Sequence, residues 1–267
     1  MLVPPDGRYV SRQPGAADDE AEHVIVLRTQ GAPQRGVFRG RVPRRREDGE
    51  VEAVPTTRAS VVRAAPFGSR EEADGWLASL RGSKGALDVE AARAAAALNR
   101  FLRAHRAAAA DPWGRDVSPE HALVVRVGYG DGDLVADGRY SAAYELPRKP
   151  RSSRKRDDLA PAERLAAIVA GREEQLACEE LVLRARADVD AGRPREAALQ
   201  ARIALEAVLA ELDEPLEADR AAVGAAANEA LGGDPAPELQ QAVEEAVASM
   251  ETALRKRRLR SQLGTGN

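Results

Sequence analysis

The stretch RKPRSSRKRDD, residues 148–158, lies where the chain changes character. All nine aromatic residues of the 267-residue chain lie before position 145. Two cores built from such different side chains indicate two domains, because one shared core would mix large and small side chains throughout. The stretch itself carries Pro150 and two serines among its charges, so we predict an exposed basic linker over residues 147–160.

Charge changes at the same boundary. Residues 1–147 hold 21 basic and 21 acidic side chains, whereas residues 157–254 hold 8 basic and 22 acidic ones. The segment RKRRLR, residues 255–260, then adds five cations. The whole chain has 40 basic and 43 acidic side chains, which favours neither a general polyanion binder nor a strongly acidic protein. The second domain is therefore acidic and has a basic segment on each side.

The first domain, residues 23–146, is predicted to be α+β, with three or four strands and two helices on one face. Residues 1–22 are rich in proline, glycine and acidic side chains and are predicted to be a disordered lead. Runs of β-branched residues at 23–29 and 59–67 predict strands. Between them, the charged stretch 31–57 contains several prolines and glycines, which indicates a mobile insertion.

Local signals place the helices and the remaining strands of this domain. Ser69 followed by Glu72 is a capping-box pattern and predicts the start of a short helix. A longer helix is predicted over residues 87–110. The stretch HALVVRVGYGDGDL, residues 121–134, predicts a strand that runs into a Gly/Asp hairpin turn, with a partner strand within residues 136–146.

The second domain, residues 161–260, is predicted to be an acidic bundle of four or five helices, followed by a tail over 261–267. Apolar side chains recur there with helical spacing, and glycines and prolines separate the segments. The apolar stripes are narrow and rich in alanine, so each helix buries little area unless another helix covers it. We therefore predict a homodimer through the final helix. Its predicted interface residues are Leu239, Val243, Val247, Met250 and Leu254.

The six cations of the linker are candidates for nucleic-acid binding. Clustered lysine and arginine side chains neutralise phosphates and bind polyanions without sequence preference. The cluster contains no aromatic side chain to stack on bases, and the adjoining acidic bundle repels a polyanion, so a solvated hinge is the favoured alternative. For the segment RKRRLR, neutralisation of the negative end of a helix dipole is a sufficient role. The six linker candidates are Arg148, Lys149, Arg151, Arg154, Lys155 and Arg156.

A candidate catalytic pair occurs in the stretch RFLRAH, where four residues separate Arg100 from His105. This spacing resembles the R-x4-6-H signature of the HEPN family, helical proteins that include metal-independent ribonucleases. The resemblance implies that Arg100 and His105 would cleave RNA together. On a regular helix, five residues turn through about 140°, which places His105 in the apolar face and Arg100 away from it. A structural role for His105 is therefore the alternative.

Metal, cofactor and disulfide chemistry find no support in the sequence, so we predict no cofactor. The one cysteine, Cys178, excludes an intrachain disulfide and a cysteine-based zinc site, and its apolar neighbours predict an inert core thiol. The three histidines are far apart in sequence, so no metal site is predicted. The stretch GYGDGD, residues 128–133, is predicted to be a hairpin turn rather than a phosphate or calcium loop.

These patterns favour a non-enzymatic interaction protein whose helical bundle mediates self-association or partner binding. The alternative is an RNA-directed protein that binds through the basic linker or cleaves with Arg100 and His105. The N-terminus lacks a basic segment followed by an apolar run, and no run of about 18 apolar residues occurs, so we expect neither a signal peptide nor a membrane span. A cytoplasmic location is the resulting expectation.

Overall fold

The computed structural model describes residues 4–12, 21–31, 55–147, 161–212 and 214–264. The chain divides into two compact units, Met1–Lys149 and Pro150–Asn267. The first unit contains small antiparallel sheets and the second is mostly helical, which agrees with the predicted α+β class followed by helices. Of the linker predicted over 147–160, only Pro147 is a described residue.

The first unit is built around an antiparallel sheet. Among the described residues, the strand order of this sheet is β1–β2–β3, with β1 at Gly7–Ser11, β2 at His23–Gln30 and β3 at Thr56–Arg63. The middle residues of β2, Ile25, Val26 and Leu27, are all buried, although consecutive strand residues point to opposite faces. Both faces of the sheet are therefore covered at its centre.

The prediction that residues 1–22 are a disordered lead is wrong for β1. This strand pairs with β2 along its whole length, and the Tyr9 and Phe101 rings lie 4.6 Å apart between centroids. The run GRYVS is too short and too polar to give a strand pattern by itself, so its order depends on these tertiary contacts. The insertion predicted over 31–57 ends earlier than expected, because β3 begins inside it; residues 32–54 lie outside the described residues.

Helices cover the two faces of this sheet separately. The described helices of the first unit are α1 at Arg70–Gly82, α2 at Ala86–Ala108 and α3 at Gly132–Ala136. The face that carries Tyr9 and Ile25 packs against α2, because cross-strand partners share a face and Tyr9 contacts Phe101. The opposite face carries Arg8, whose Nη1 lies 2.6 Å from Asp133 Oδ1 in α3. The two predicted helices are α1 and α2, and the sequence did not predict α3, which lies on the face opposite α2.

The predicted capping box at the start of α1 is confirmed. Ser69 Oγ accepts a hydrogen bond from the backbone N–H of Glu72 at 3.2 Å. The Glu72 carboxylate reaches back and accepts one from the N–H of Gly68 at 2.7 Å. The first bond satisfies an N–H group that the helix itself leaves unpaired, and the second pairs the carboxylate with the residue before the N-cap Ser69 instead of with Ser69 itself. The next helix, α2, matches the segment predicted over 87–110 to within two residues.

A two-stranded sheet completes the first unit. It pairs β4, at Arg126–Tyr129, with β5, at Ala142–Glu145, so residues 23–146 contain four of the described strands, within the predicted three or four, and β1 precedes that range. The hairpin turn predicted between them contains the short helix α3 instead. Gly128 lies opposite Ala143, and a Cβ at this position would lie 2.3 Å from the carbonyl oxygen of Ala142. Only glycine fits here without displacing the neighbouring strand.

The second unit packs four of its helices around one apolar core. Its described helices, five in agreement with the predicted four or five, are α4 at Pro161–Val169, α5 at Ala177–Asp190, α6 at Pro194–Glu211, α7 at Asp219–Ala230 and α8 at Pro237–Gly264. α6 contacts α5, α7 and α8, and its residues Ala197, Ala201 and Ala204 are fully buried. These small side chains let the neighbouring helices approach closely.

The predicted dimer interface lies in this core instead. All five of its residues belong to the apolar cluster that α8 shares with the other helices of the chain: Leu239, which is partly buried, and Val243, Val247, Met250 and Leu254, which are at most 5% exposed. Alanine-rich helices approach closely enough to cover most of a narrow stripe, so the four buried residues are unavailable to a second copy. The tail predicted over 261–267 is also helical as far as Gly264, where α8 ends.

Candidate functional site

The candidate catalytic residues Arg100 and His105 both lie on α2, but the helix keeps them apart. α2 continues as an α-helix to Ala108, so the five-residue spacing separates the directions of the two side chains by about 140°. Arg100 Nη2 donates a hydrogen bond to Glu22 Oε2 at 2.9 Å, and His105 is half-buried near the helix end. This geometry disfavours joint action on one phosphate and favours the structural role for His105.

Polar side chains next to this pair also have a structural use. Asn99 forms two hydrogen bonds with the backbone of Val117, donating to the carbonyl oxygen at 2.9 Å and accepting from the N–H at 2.8 Å. Arg103 Nη1 pairs with Asp116 Oδ2 at 2.8 Å. α2 therefore holds the segment that follows it through side chains within and beside the RFLRAH stretch.

The structure tests the prediction for one of the two basic segments but not for the other. The six cations within 148–156 lie outside the described residues, so nucleic-acid binding there stays a prediction. The segment RKRRLR lies within α8 and ends before its last turn, so its predicted role at the helix dipole is wrong. Arg258 Nε lies 3.4 Å from Glu179 Oε1, and Arg260 Nη2 lies 3.2 Å from Glu214 Oε1. These cations neutralise acidic side chains of their own unit.

Glu179 is the centre of a buried ion cluster in the second unit. Its side chain is 5% exposed, and Arg164 Nη2 donates to its two carboxylate oxygens at 2.8 and 2.9 Å. Arg164 Nε also donates to Glu173 at 2.6 Å, and Arg258 approaches Glu179 as described above. A buried carboxylate is unfavourable unless it is paired, so this cluster ties α4 and α8 to the start of α5.

Helix α4 presents apolar side chains to solvent next to this cluster. Leu165 is 62% exposed and Val169 is 79% exposed, and their spacing of four residues places them on one face of the helix. None of the α4 side chains that the structure describes is fully buried. We call Leu165 and Val169 the α4 surface. The ion cluster fixes one side of this helix while the α4 surface remains uncovered.

The single cysteine, Cys178, is buried at the start of α5. Burial, together with the nearby Glu211 carboxylate, raises the pKa of its thiol to about 12. The same carboxylate accepts a hydrogen bond from the backbone N–H of Cys178 at 2.9 Å, and this bond lowers the pKa of Glu211. A thiol that stays protonated is a poor nucleophile, which agrees with the predicted inert role.

Comparison with protein-family models, with curated proteins and with solved structures gave no match to the chain. Among the helices that the structure describes, none is both long and apolar enough to cross a membrane. Across the same described ranges, no three histidine, cysteine or acidic side chains are arranged to hold a metal ion.

Proposed function

We propose that the chain is a non-enzymatic interaction protein whose helical unit self-associates through the α4 surface. The observation that carries the proposal is the exposure of Leu165 and Val169 on a helix that the Glu179 cluster holds in place. Exposed apolar side chains on a fixed helix gain free energy when another surface removes them from water. We therefore propose α4 as the contact surface of the homodimer, in place of the α8 stripe, which is buried within the chain.

A second copy of the chain is a suitable partner for this surface. In a two-fold dimer the same helix meets its own copy, so one short apolar face supplies both sides of the contact. Two residues per chain bury much less than the roughly 1,200 Å² of a stable interface, so the expected dimer is weak and depends on concentration. The acidic excess of this unit opposes association, and added salt should strengthen the dimer by screening that repulsion.

Sedimentation velocity of the full chain from low to high micromolar concentration tests the proposal. The average mass should rise with concentration, and Leu165→Asp should shift the equilibrium to monomer because it places a charge in the apolar contact. Leu231→Asp is the matched control, because Leu231 is 69% exposed and lies outside α4. It should leave the dimer intact.

Two results would contradict the proposal in different ways. A chain that remains monomeric at every concentration, while folded, removes self-association. A dimer that persists in Leu165→Asp, or that is lost equally in Leu231→Asp, removes the α4 surface as the contact.

A further inference from the structure

A groove in the first unit lies between α2 and the adjoining ends of β2 and β3, with a volume of about 280 Å³. His23 and Arg63 both reach it because they are cross-strand partners on one face of the sheet. Arg93 and Arg100 both reach it because a spacing of seven residues returns to the same side of a helix. The charged and titratable residues that line it, which we call the arginine groove, are Glu22, His23, Arg63, Glu90, Arg93 and Arg100.

Ion pairs orient the guanidinium groups of this groove. Glu90 pairs with Arg63, and its Oε2 lies 3.6 Å from Arg93 Nη1. Glu22 accepts a hydrogen bond from Arg100 at 2.9 Å. A guanidinium group carries five N–H donors, so each arginine retains donors beyond those that the carboxylates accept. The two glutamates thus position the three arginines beside the groove and leave them able to bind an anion.

The arginine groove also has uncompensated positive charge. Counted over its described lining, three arginines face two glutamates, a balance of +1 before any protonation of His23. In the part of the chain that the structure describes, His23 Nδ1 is buried without a hydrogen-bond partner; a carboxylate oxygen of Glu22 lies 3.6 Å away. This nitrogen is closed to solvent, so the donors that a ligand in the groove can reach are the partly exposed guanidinium groups of Arg63, Arg93 and Arg100.

We propose that the arginine groove binds a small molecule that carries one phosphate monoester. Planar guanidinium groups match phosphate oxygens through paired hydrogen bonds. The two glutamates keep the excess charge small, which suits one phosphate rather than a polyanion, and they accept hydrogen bonds from hydroxyl groups of the ligand. Val61 and Ala94 supply an apolar wall, and about 280 Å³ lies just below the usual range of about 300–1,000 Å³ for ligand sites, which suits a small ligand.

Trp76 provides an optical signal for this binding. The Arg63 guanidinium lies 5.5 Å from the centroid of the Trp76 ring, so a ligand that engages Arg63 should change the fluorescence of this ring. The chain has two tryptophans, and Trp113, which is 81% exposed, can be replaced by phenylalanine to leave Trp76 alone. Titration of the full-length Trp113→Phe chain with glycerol 2-phosphate should give a saturable change, and isothermal titration calorimetry should give the same affinity.

Variants of the groove identify the residues that bind. Arg93→Gln and Arg100→Gln should each weaken the binding of glycerol 2-phosphate at least about tenfold, because each removes charge-assisted hydrogen bonds. Arg81→Gln is the matched control, because Arg81 stacks on Tyr144 at 5.2 Å and lies outside the described lining of the groove. It should bind as tightly as the parent chain. Thermal melting followed by circular dichroism verifies that each variant is folded.

Three outcomes would overturn the inference. They are the absence of saturable binding by both methods, an equal loss of affinity in Arg81→Gln, and binding of inorganic phosphate as tight as that of the ester. The first two remove the site, and the third removes the ester as its ligand. The groove belongs to the first unit, so the proposed self-association of the helical unit can fail while this inference holds.

Discussion

The two units are stabilised in different ways. In the helical unit, the buried side chains form one continuous cluster drawn from four helices, and none of them is aromatic. In the sheet unit, large buried side chains are concentrated on β2, and aromatic rings contact one another in pairs, such as Phe67 and Trp76 at 5.3 Å. The helical unit is therefore most sensitive to lost volume, whereas the sheet unit is most sensitive to the close fit of its backbone.

Because the two units differ in composition, their unfolding can be followed by different optical signals. Tryptophan and tyrosine occur only in the first unit, and most of the described helical residues belong to the second. Tryptophan fluorescence therefore follows unfolding of the sheet unit, while helical circular dichroism follows mainly the helical unit. Urea unfolding of the full chain, recorded by both signals, measures the two units side by side.

The largest expected effect is a cavity in the helical core. Leu205 is 1% exposed, so Leu205→Ala should lower the free energy of unfolding of this unit by about 4 kcal/mol. The circular dichroism transition should move to lower urea while the fluorescence transition stays in place. Ile203→Ala, on the solvent side of the same helix, should change stability by less than about 0.5 kcal/mol. An equal shift of both transitions would contradict the independent unfolding of the two units.

The next effect tests the buried charge of the helical unit. Glu179→Gln should destabilise this unit by about 3 kcal/mol, because it leaves Arg164 without its buried carboxylate partner. Glu180→Gln is the adjacent control: Glu180 is half-exposed and pairs with Arg184 one turn away, so its loss should change stability by less than about 0.5 kcal/mol. Similar urea midpoints for the two variants would show that the Glu179 cluster adds nothing to stability.

A glycine-to-alanine substitution tests the tight packing of the sheet unit. Gly128→Ala should destabilise it by about 2 kcal/mol, because the new Cβ overlaps the backbone of β5. Here the fluorescence transition should move while the circular dichroism transition stays. Gly132→Ala is the control, since a Cβ at Gly132 meets no atom within 4 Å. Equal stability of the two variants would contradict the tight fit between β4 and β5.

The smallest effect is the contribution of the Cys178 thiol to the pH dependence of the helical unit. Between the ordinary thiol pKa of 9.0 and the folded value of about 12, the unfolded chain loses the Cys178 proton and the folded chain keeps it. The free energy of unfolding should therefore fall as pH rises above 9, and at pH 10 the loss should be about 1.4 kcal/mol. Cys178→Ala should lack this contribution, so the stability difference between the two proteins should change with pH. Parallel pH profiles would rule the contribution out.

Sequence reasoning succeeded where the signal was local. The β-branched run of β2, the capping box at Ser69 and the periodic apolar residues of the helical unit each depend on neighbours a few positions away. Structural features that depend on residues far apart in the sequence were not predicted. β1 is ordered by its pairing with β2 and its contact with Phe101. Arg100 pairs with Glu22, which lies 78 residues away in the sequence. Neither interaction can be predicted from a few neighbouring residues.

The α8 stripe and the α4 surface show a second limit. An apolar stripe indicates that a helix face is buried, but not whether the same chain or a second copy covers it. Met250 is covered by its own chain, whereas Leu165, in the apolar run PAERLAAIV, is 62% exposed. Close packing of alanine-rich helices made the difference, and that packing depends on all of the helices together.

The hydrogen bond from the Cys178 N–H to Glu211 joins residues 33 positions apart. Leu176 precedes the first turn of α5 and supplies no side-chain cap, so the last residue of α6 takes part of that role. During synthesis, Glu211 is added to the chain 33 residues after Cys178. The first turn of α5 can gain this bond only after Glu211 has been made, so a nascent chain that ends within α6 lacks it.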